Sequence, residues 1–357
     1  MASFIFILIA GLALHTVDAR TLAKRACGSI TGTRTIDSFQ LYPENGDFDP
    51  QRCLAYLSVL YNSTVAVYDP AANSVDRIIE VPGLSYDSLL HSSGVKLDGP
   101  DKLSIVINAG RAFETGGQNR SGENFLVKYD LEQDRILWQA NVGAATNNDV
   151  TGYQDVEHDS QGNSYVVSSF PESIVRVSAD GQTVTPWYVL AEGQQSTGMT
   201  GLAKFDDKTV FSTNVSGSSI TAWDLTQEIG IPRQVPVTGL PANETQLFVL
   251  SDGLYLPPRY ERTVLLIADG ARNGVAVVRS NDGWASAQYL GFVANPVPEG
   301  GSLAAASVQL GDNVFLIPAF FTMERVAGTL TGPQSAFPLA DITAEVEALV
   351  NVKTKAC

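Results

Sequence analysis

A pattern that returns about every fifty residues constrains this chain more than anything in its composition. In residues 154–169 (QDVEHDSQGNSYVVSS), Val156-Glu157-His158-Asp159 precedes the turn Ser160-Gln161-Gly162-Asn163. Tyr165-Val166-Val167 follows, β-branched and aromatic as a buried strand requires. Residues 173–177 read as a third strand and, after Ala179-Asp180-Gly181, residues 184–189 as a fourth. The same grammar starts at Glu44 (ENGDFDPQRCLAYLSVLYNSTVAVYDP), Ser93 (SGVKLDGPDKLSIVINAG), Thr200 (TGLAKFDDKTVFSTNVSGSSITAWDL) and Asp252 (DGLYLPPRYERTVLLIADGARNGVAVVRS), and more weakly near Leu303 and Ala304. Steps of 49, 61, 46, 52 and about 52 residues, with four strands per unit, predict an all-β chain folded as a six-bladed β-propeller. The ring should close by pairing a segment from one terminus with the blade built from the other, since an open edge invites aggregation. Helical periodicity is confined to a short stretch at residues 341–350.

The repeat leaves the first residues outside the domain. Residues 4–14 are apolar but too short to span a bilayer, Val17-Asp18-Ala19 suits signal peptidase, and Lys24-Arg25 is a dibasic processing pair. Residues 1–25 are therefore expected to be a signal peptide and short pro-segment, and residues 26–357 a single propeller domain on the secretory route. Losing those residues takes the formal charge from −15 to −17. Such an acidic chain opposes nucleic acid and anionic membrane surfaces as partners. In an oxidising compartment two of Cys27, Cys53 and Cys357 should pair. Spacing does not choose between them; Cys27–Cys53 is the expected pair because it would pin the mature N-terminus to the first sheet. Four sequons, at Asn62, Asn119, Asn214 and Asn243, fit the same route.

In a propeller the residues just before each inner strand, and the loops between second and third strands, form one rim of the central channel, where small molecules usually bind. Glu44, Ser93, Gln154, Thr200 and Asp252 hold the first kind of position; Asn108, Arg111, Phe113, Phe170, Asn214, Arg272, Asn273, Phe320, Phe321 and Met323 hold the second. No CxxC, Cys/His cluster or GxSxG is present. His91 and His158, the two histidines after the leader, are read as structural or surface residues. The glycine-rich residues 114–123 lack the ending of a phosphate loop and are read as a rim loop.

The repeat resembles the six-bladed gluconolactonase and senescence-marker propellers, which hold a divalent cation with a carboxylate before the first blade and Asn or Asp before later ones. Glu44 and Asp252-Gly253-Leu254 match that pattern, whereas Gln154 and Thr200 depart from it. The leader with Lys24-Arg25, LYPENGDFDP, LSVLYNSTVAVYDP and SGVKLDG are similar to a group of secreted fungal propellers. That group includes trichothecene-cluster accessory proteins, a yeast skin allergen and the hetero-Diels–Alderases of tropolone–sesquiterpene pathways. The resemblance implies a propeller of secondary metabolism, a pericyclase joining a tropolone-type quinone methide to a sesquiterpene. A metal-dependent lactonase or esterase and a non-enzymatic ligand-binding or virulence accessory protein are the alternatives.

A pericyclase asks little of its residues. Holding two partners in reactive geometry can lower a barrier by roughly 7–11 kcal/mol, and an acid can assist loss of water. Glu44 and Asp252 are the candidate catalytic acids. Ser93, Arg111, Phe113, Gln154, Phe170, Thr200, Arg272, Asn273, Phe320 and Phe321 are the candidate walls for an oxygenated apolar small molecule, with no metal or other cofactor.

Overall fold

The computed structural model describes residues 27–190, 198–298 and 301–352. The leader and Cys357 lie outside them. Six antiparallel sheets follow one another along the chain. Blade one runs Pro43–Asp49, Leu54–Val59, Thr64–Asp69 and Ser74–Ile79, and blade two Leu90–Leu97, Lys102–Ala109, Phe125–Asp130 and Arg135–Asn141. Blade three runs Thr151–His158, Ser164–Phe170, Glu172–Val177 and Val184–Val189; blade four is Leu202–Lys204, Thr209–Asn214, Ser219–Asp224 and Arg233–Val235. Blade five comprises Ser251–Tyr255, Val264–Asp269, Gly274–Arg279 and Ala287–Ala294, with Val237–Thr238 added in parallel at its outer edge. Blade six takes Leu303–Leu310, Asn313–Ala319 and Ala336–Asp341 from the C-terminal end of the chain.

Its fourth strand comes from the other end. Arg34–Asp37 pairs antiparallel with Ala336–Asp341, Ile36 opposite Phe337, so the ring closes between the termini and that edge is removed. Ile36, Phe337 and Leu339 are wholly buried in the core shared by blades six and one. The Cys27–Cys53 disulfide, with Cα atoms 5.4 Å apart, fastens the segment leading into this strand to the first hairpin of blade one. The helix Thr343–Val352 then sets Val346 and Val350 into the core of blades five and six.

The turns repeat as the strands do. The aspartate that ends the third strand in YDP, YDL and WDL folds back on the turn. Asp69 accepts from the N–H groups of Ala71 and Ala72, Asp130 from Glu132 and Gln133, and Asp224 from Thr226. These Asx turns start the last hairpin of their blades. The long step between blades two and three holds two inserted turns of helix, Arg111–Glu114 and Gly143–Thr146. Among the described residues no helix is long and apolar enough to cross a membrane.

Candidate functional site

Inner strands in five of the six blades carry a β-bulge near their first residues, and the bulge positions the site. The register shifts between Pro43 and Gly46, Ser92 and Val95, Tyr153 and Asp155, Ser251 and Leu254, and Ala304 and Ala306. Glu44, Ser93, Gln154 and Asp252 fall inside these bulges, and Thr200 stands just before the inner strand of blade four. A bulge breaks the in–out alternation and re-aims a side chain. All five residues line one cavity of about 480 Å³ at the mouth of the channel.

Glycines let the ring draw this tight. A Cβ on Gly94 would stand 2.5 Å from the Gln154 carbonyl oxygen, and one on Gly201 would stand 2.6 Å from that of Asp252. Gly253 meets the backbone of Ala305 in the same way. At these three seams the inner strands of neighbouring blades thus abut at their first residues, with room only for a hydrogen atom between them.

The walls are aromatic. Phe113, on the Arg111–Glu114 helix, meets Phe170 edge to face at 5.6 Å. Phe170 is slotted between Gly117 and Gly152, where a Cβ would come within 2.6 Å of its ring. Phe321 and Leu250 form an exposed lip, while Glu114 and Arg325 pair across the mouth at 3.5 Å.

The floor is acidic. Glu44 and Asp252 have no hydrogen-bond partner among the described residues, and Glu44 Oε2 is fully enclosed. Burial pushes both carboxyls well above the usual range; Asp252 and Asp155 add to the rise at Glu44, and Asp155 adds to it at Asp252. Asp155, which the strand pattern does not disclose, lies buried behind the cavity lining and acts on both acids through its charge. Its carboxylate accepts from Leu202 N–H of blade four and from Val156 N–H, both at 2.9 Å. Burial raises it to about 7, against the pull of Lys96 and those two N–H groups. Lys96 in turn lies toward the other end of the channel, 3.4 Å from Glu157 and 3.8 Å from Asp47.

His91, expected to be a structural or surface residue, also lines the cavity. Its ring meets Tyr61 edge-on at 5.2 Å and backs onto Gly110, and burial holds it neutral, with its pKa down to about 4. His158 is structural: its Nε2 shares a hydrogen bond of 2.8 Å with the buried Ser104 hydroxyl.

Four expected wall residues lie elsewhere. Phe320, just past the strand that ends at Ala319, points into the core against Tyr42 and Phe337, while Phe321 is exposed. Arg272 lies over Phe292 and is held by Asp269 at 2.6 Å and Glu244 at 3.3 Å. Asn273 takes the left-handed corner of the hairpin, with φ +50°, and accepts from Asn295. Arg111 projects into solvent from its helix. Of the sequon asparagines, Asn62, Asn119 and Asn243 sit in connections, while Asn214 is the last residue of the second strand of blade four. Asn119 Oδ1 accepts from the Ser121 hydroxyl, and the Asn214 amide donates to Glu172.

With this geometry in place, the chain can be compared with known proteins. Residues 30–292 match the family described as Mal s 1 allergenic protein-like. The chain belongs to that family. It is 34% identical over 347 residues to trichothecene biosynthesis protein 14 of Trichoderma arundinaceum, covering 92% of this chain and 93% of the relative. Among solved structures, the major Malassezia sympodialis allergen Mala s 1 superposes with a TM-score of 0.72 at 21% identity, over 88% of this chain and 96% of that one. A gluconolactonase from Xanthomonas campestris gives 0.52 at 17%, over 87% and 89%. These two likenesses concern the fold alone. Among the described residues no three His, Cys, Asp or Glu side chains are grouped to hold a metal, and both Asp155 oxygens are engaged by backbone N–H groups.

Proposed function

We propose that this member of the Mal s 1-like family is an exported enzyme of secondary metabolism, a pericyclase of the hetero-Diels–Alder kind. The observation that carries the reading is the pair Glu44 and Asp252: two carboxyls, the first buried and the second partly so, without hydrogen-bond partners among the described residues, both raised well above the usual carboxylate range by desolvation and facing an aromatic-walled cavity. A trichothecene biosynthesis protein among the relatives supports a small-molecule substrate, and the disulfide supports the secretory route.

In this reading the protonated acid gives its proton to a hydroxyl leaving from a tropolone-type partner, and water departs. The ionised partner carboxylate takes the proton of the conjugated ring hydroxyl, leaving a neutral quinone methide. One C–C and one C–O bond then form to a sesquiterpene alkene held against Phe113 and Phe170. Proton exchange between the two carboxyls restores the starting state. Glu44→Gln and Asp252→Asn should each cut turnover by about 10²–10⁴-fold, the range for loss of an acid or base that moves a proton. Activity should persist in excess chelator. Activity that is lost in chelator and restored by calcium or zinc would sink this reading in favour of a metal-dependent lactonase.

A further inference from the structure

Two polar groups on the cavity wall take no part in the acid chemistry. His91 and Asn108 are partners across the first hairpin of blade two, so their side chains leave the sheet on one face, next to each other. Both line the cavity, His91 7% exposed and Asn108 1%. His91 stands two residues before Ser93 on the inner strand, which sets it roughly 6–7 Å nearer the mouth. Its ring is held by shape alone. Tyr61, tied by its hydroxyl to the Phe320 carbonyl at 2.9 Å, meets it edge-on, and a Cβ on Gly110 behind it would come within 2.7 Å of three ring atoms. The imidazole makes no hydrogen bond among the described residues, so its direction is set without spending its nitrogens.

Asn108 has one orientation. Its amide nitrogen donates to the Tyr153 carbonyl at 2.7 Å and to Ser93 Oγ at 2.9 Å; a carbonyl can only accept, so the other end of the amide is Oδ1. That oxygen is buried and has no hydrogen-bond partner among the described residues. A neutral imidazole carries one N–H and one lone pair. Beside an amide oxygen that nothing else engages, an N–H is favoured over a second lone pair, so the ring nitrogen nearer Asn108 carries the proton. The wall therefore presents a donor and an acceptor side by side. Thr331 Oγ1, also buried on the cavity without a partner, can give or take a hydrogen bond and does not alter that order.

We propose that His91 and Asn108 are the specificity-determining pair of this cavity, reading a carbonyl and a hydroxyl on adjacent carbons of the ligand. The His91 N–H donates to the carbonyl oxygen, and the hydroxyl donates to Asn108 Oδ1. Cross-strand partners lie about 4.5–5.5 Å apart at Cβ, close enough for both to reach oxygens on adjacent carbons. This hydroxyl keeps its proton; the one that loses it in the reaction lies against Glu44 and Asp252. The proposal rests on the small-molecule reading of the cavity given above, and it deepens that reading by naming the two residues that choose the oxygenated partner.

Titration calorimetry on the mature protein in chelator tests it, at a pH where tropolone keeps its proton. The probes are tropolone, its O-methyl ether and cycloheptatriene, a ring with both oxygens, with the hydroxyl blocked and with neither. Native protein should bind tropolone about tenfold more tightly than the ether, the scale of one unmet buried hydrogen bond. His91→Leu should weaken tropolone and the ether about tenfold alike and leave cycloheptatriene unchanged. His91→Asn or His91→Gln, each keeping an N–H, should restore carbonyl binding. Should His91→Leu fail to fold, the His91 ring N–H resonance of the native protein decides: it should move with the ether and stay with cycloheptatriene. Equal binding of tropolone and ether, carbonyl binding untouched by His91→Leu, or no rescue by either amide would overturn the pair while leaving the cavity reading intact. An equal loss of cycloheptatriene would reduce His91 to packing and overturn it too. Binding by none of the three probes would overturn both.

Discussion

Replacing Gly94 with alanine tests how the channel mouth is built. The new methyl would lie 2.5 Å from the Gln154 carbonyl oxygen and 2.7 Å from Asp155 Cα, both backbone atoms of the next inner strand. Restoring an ordinary contact of 3.4 Å needs the strands to part by roughly 0.7–0.9 Å. Blade three cannot move alone, since Asp155 is bonded to Leu202 of blade four at 2.9 Å. Overpacking of this kind costs about 2–3 kcal/mol. Denaturant unfolding should show a lower midpoint at unchanged slope. Binding at the cavity should weaken as well, because Ser93 and Gln154 flank the insertion. Gly28→Ala, where nothing stands within 4 Å, is the control and should shift stability by less than about 0.5 kcal/mol. A Gly94→Ala protein as stable as that control, with binding unchanged, would refute the account of abutting bulges.

Two further outcomes follow from the same structure. Cys27→Ser opens a loop of 26 residues, and unfolding should show a loss of roughly 3 kcal/mol; a peptide map placing Cys357 in the bridge would contradict it. Glu44→Gln should change the pH dependence of melting. Burial raises the Glu44 carboxyl in the folded state, so the stability tied to its proton is complete below the unfolded value near 4 and is lost as pH rises through the folded one. Variant and native protein should melt alike at pH 4, and the variant should melt higher at pH 8; a native protein that melts higher at pH 8 would show that Glu44 is held ionised.

Much of the ring can be read from the residues. Each unit announces itself by an aspartate-led turn and a β-branched strand, so the blade starts at Glu44, Ser93, Gln154 and Asp252 fall where the bulges are. The direction of a rim side chain is harder to read. Phe320 and Phe321 are alike in type, yet one is 1% exposed and the other 47%, a difference set by tertiary packing after the strand ends. Arg272 has its charge met by Asp269 three residues back and by Glu244, a distant carboxylate that no local pattern shows. Asp155 fails for another reason. Alternation assigns it to the face opposite Gln154, but the bulge at Tyr153–Asp155 breaks the period of two and turns its carboxylate toward blade four. His91 gives no sequence signal at all, since its place depends on the bare backbone of Gly110 behind its ring.

The stereochemistry of the product tests the central claim most directly. A tropolone-type quinone methide precursor and a sesquiterpene alkene would be incubated in chelator with the native protein, with Glu44→Gln and without protein, and the cycloadduct resolved on a chiral column. The account predicts one enantiomer formed faster than background by the native protein, with the variant falling back toward a slow racemic reaction. A racemic product at the background rate in all three would contradict it.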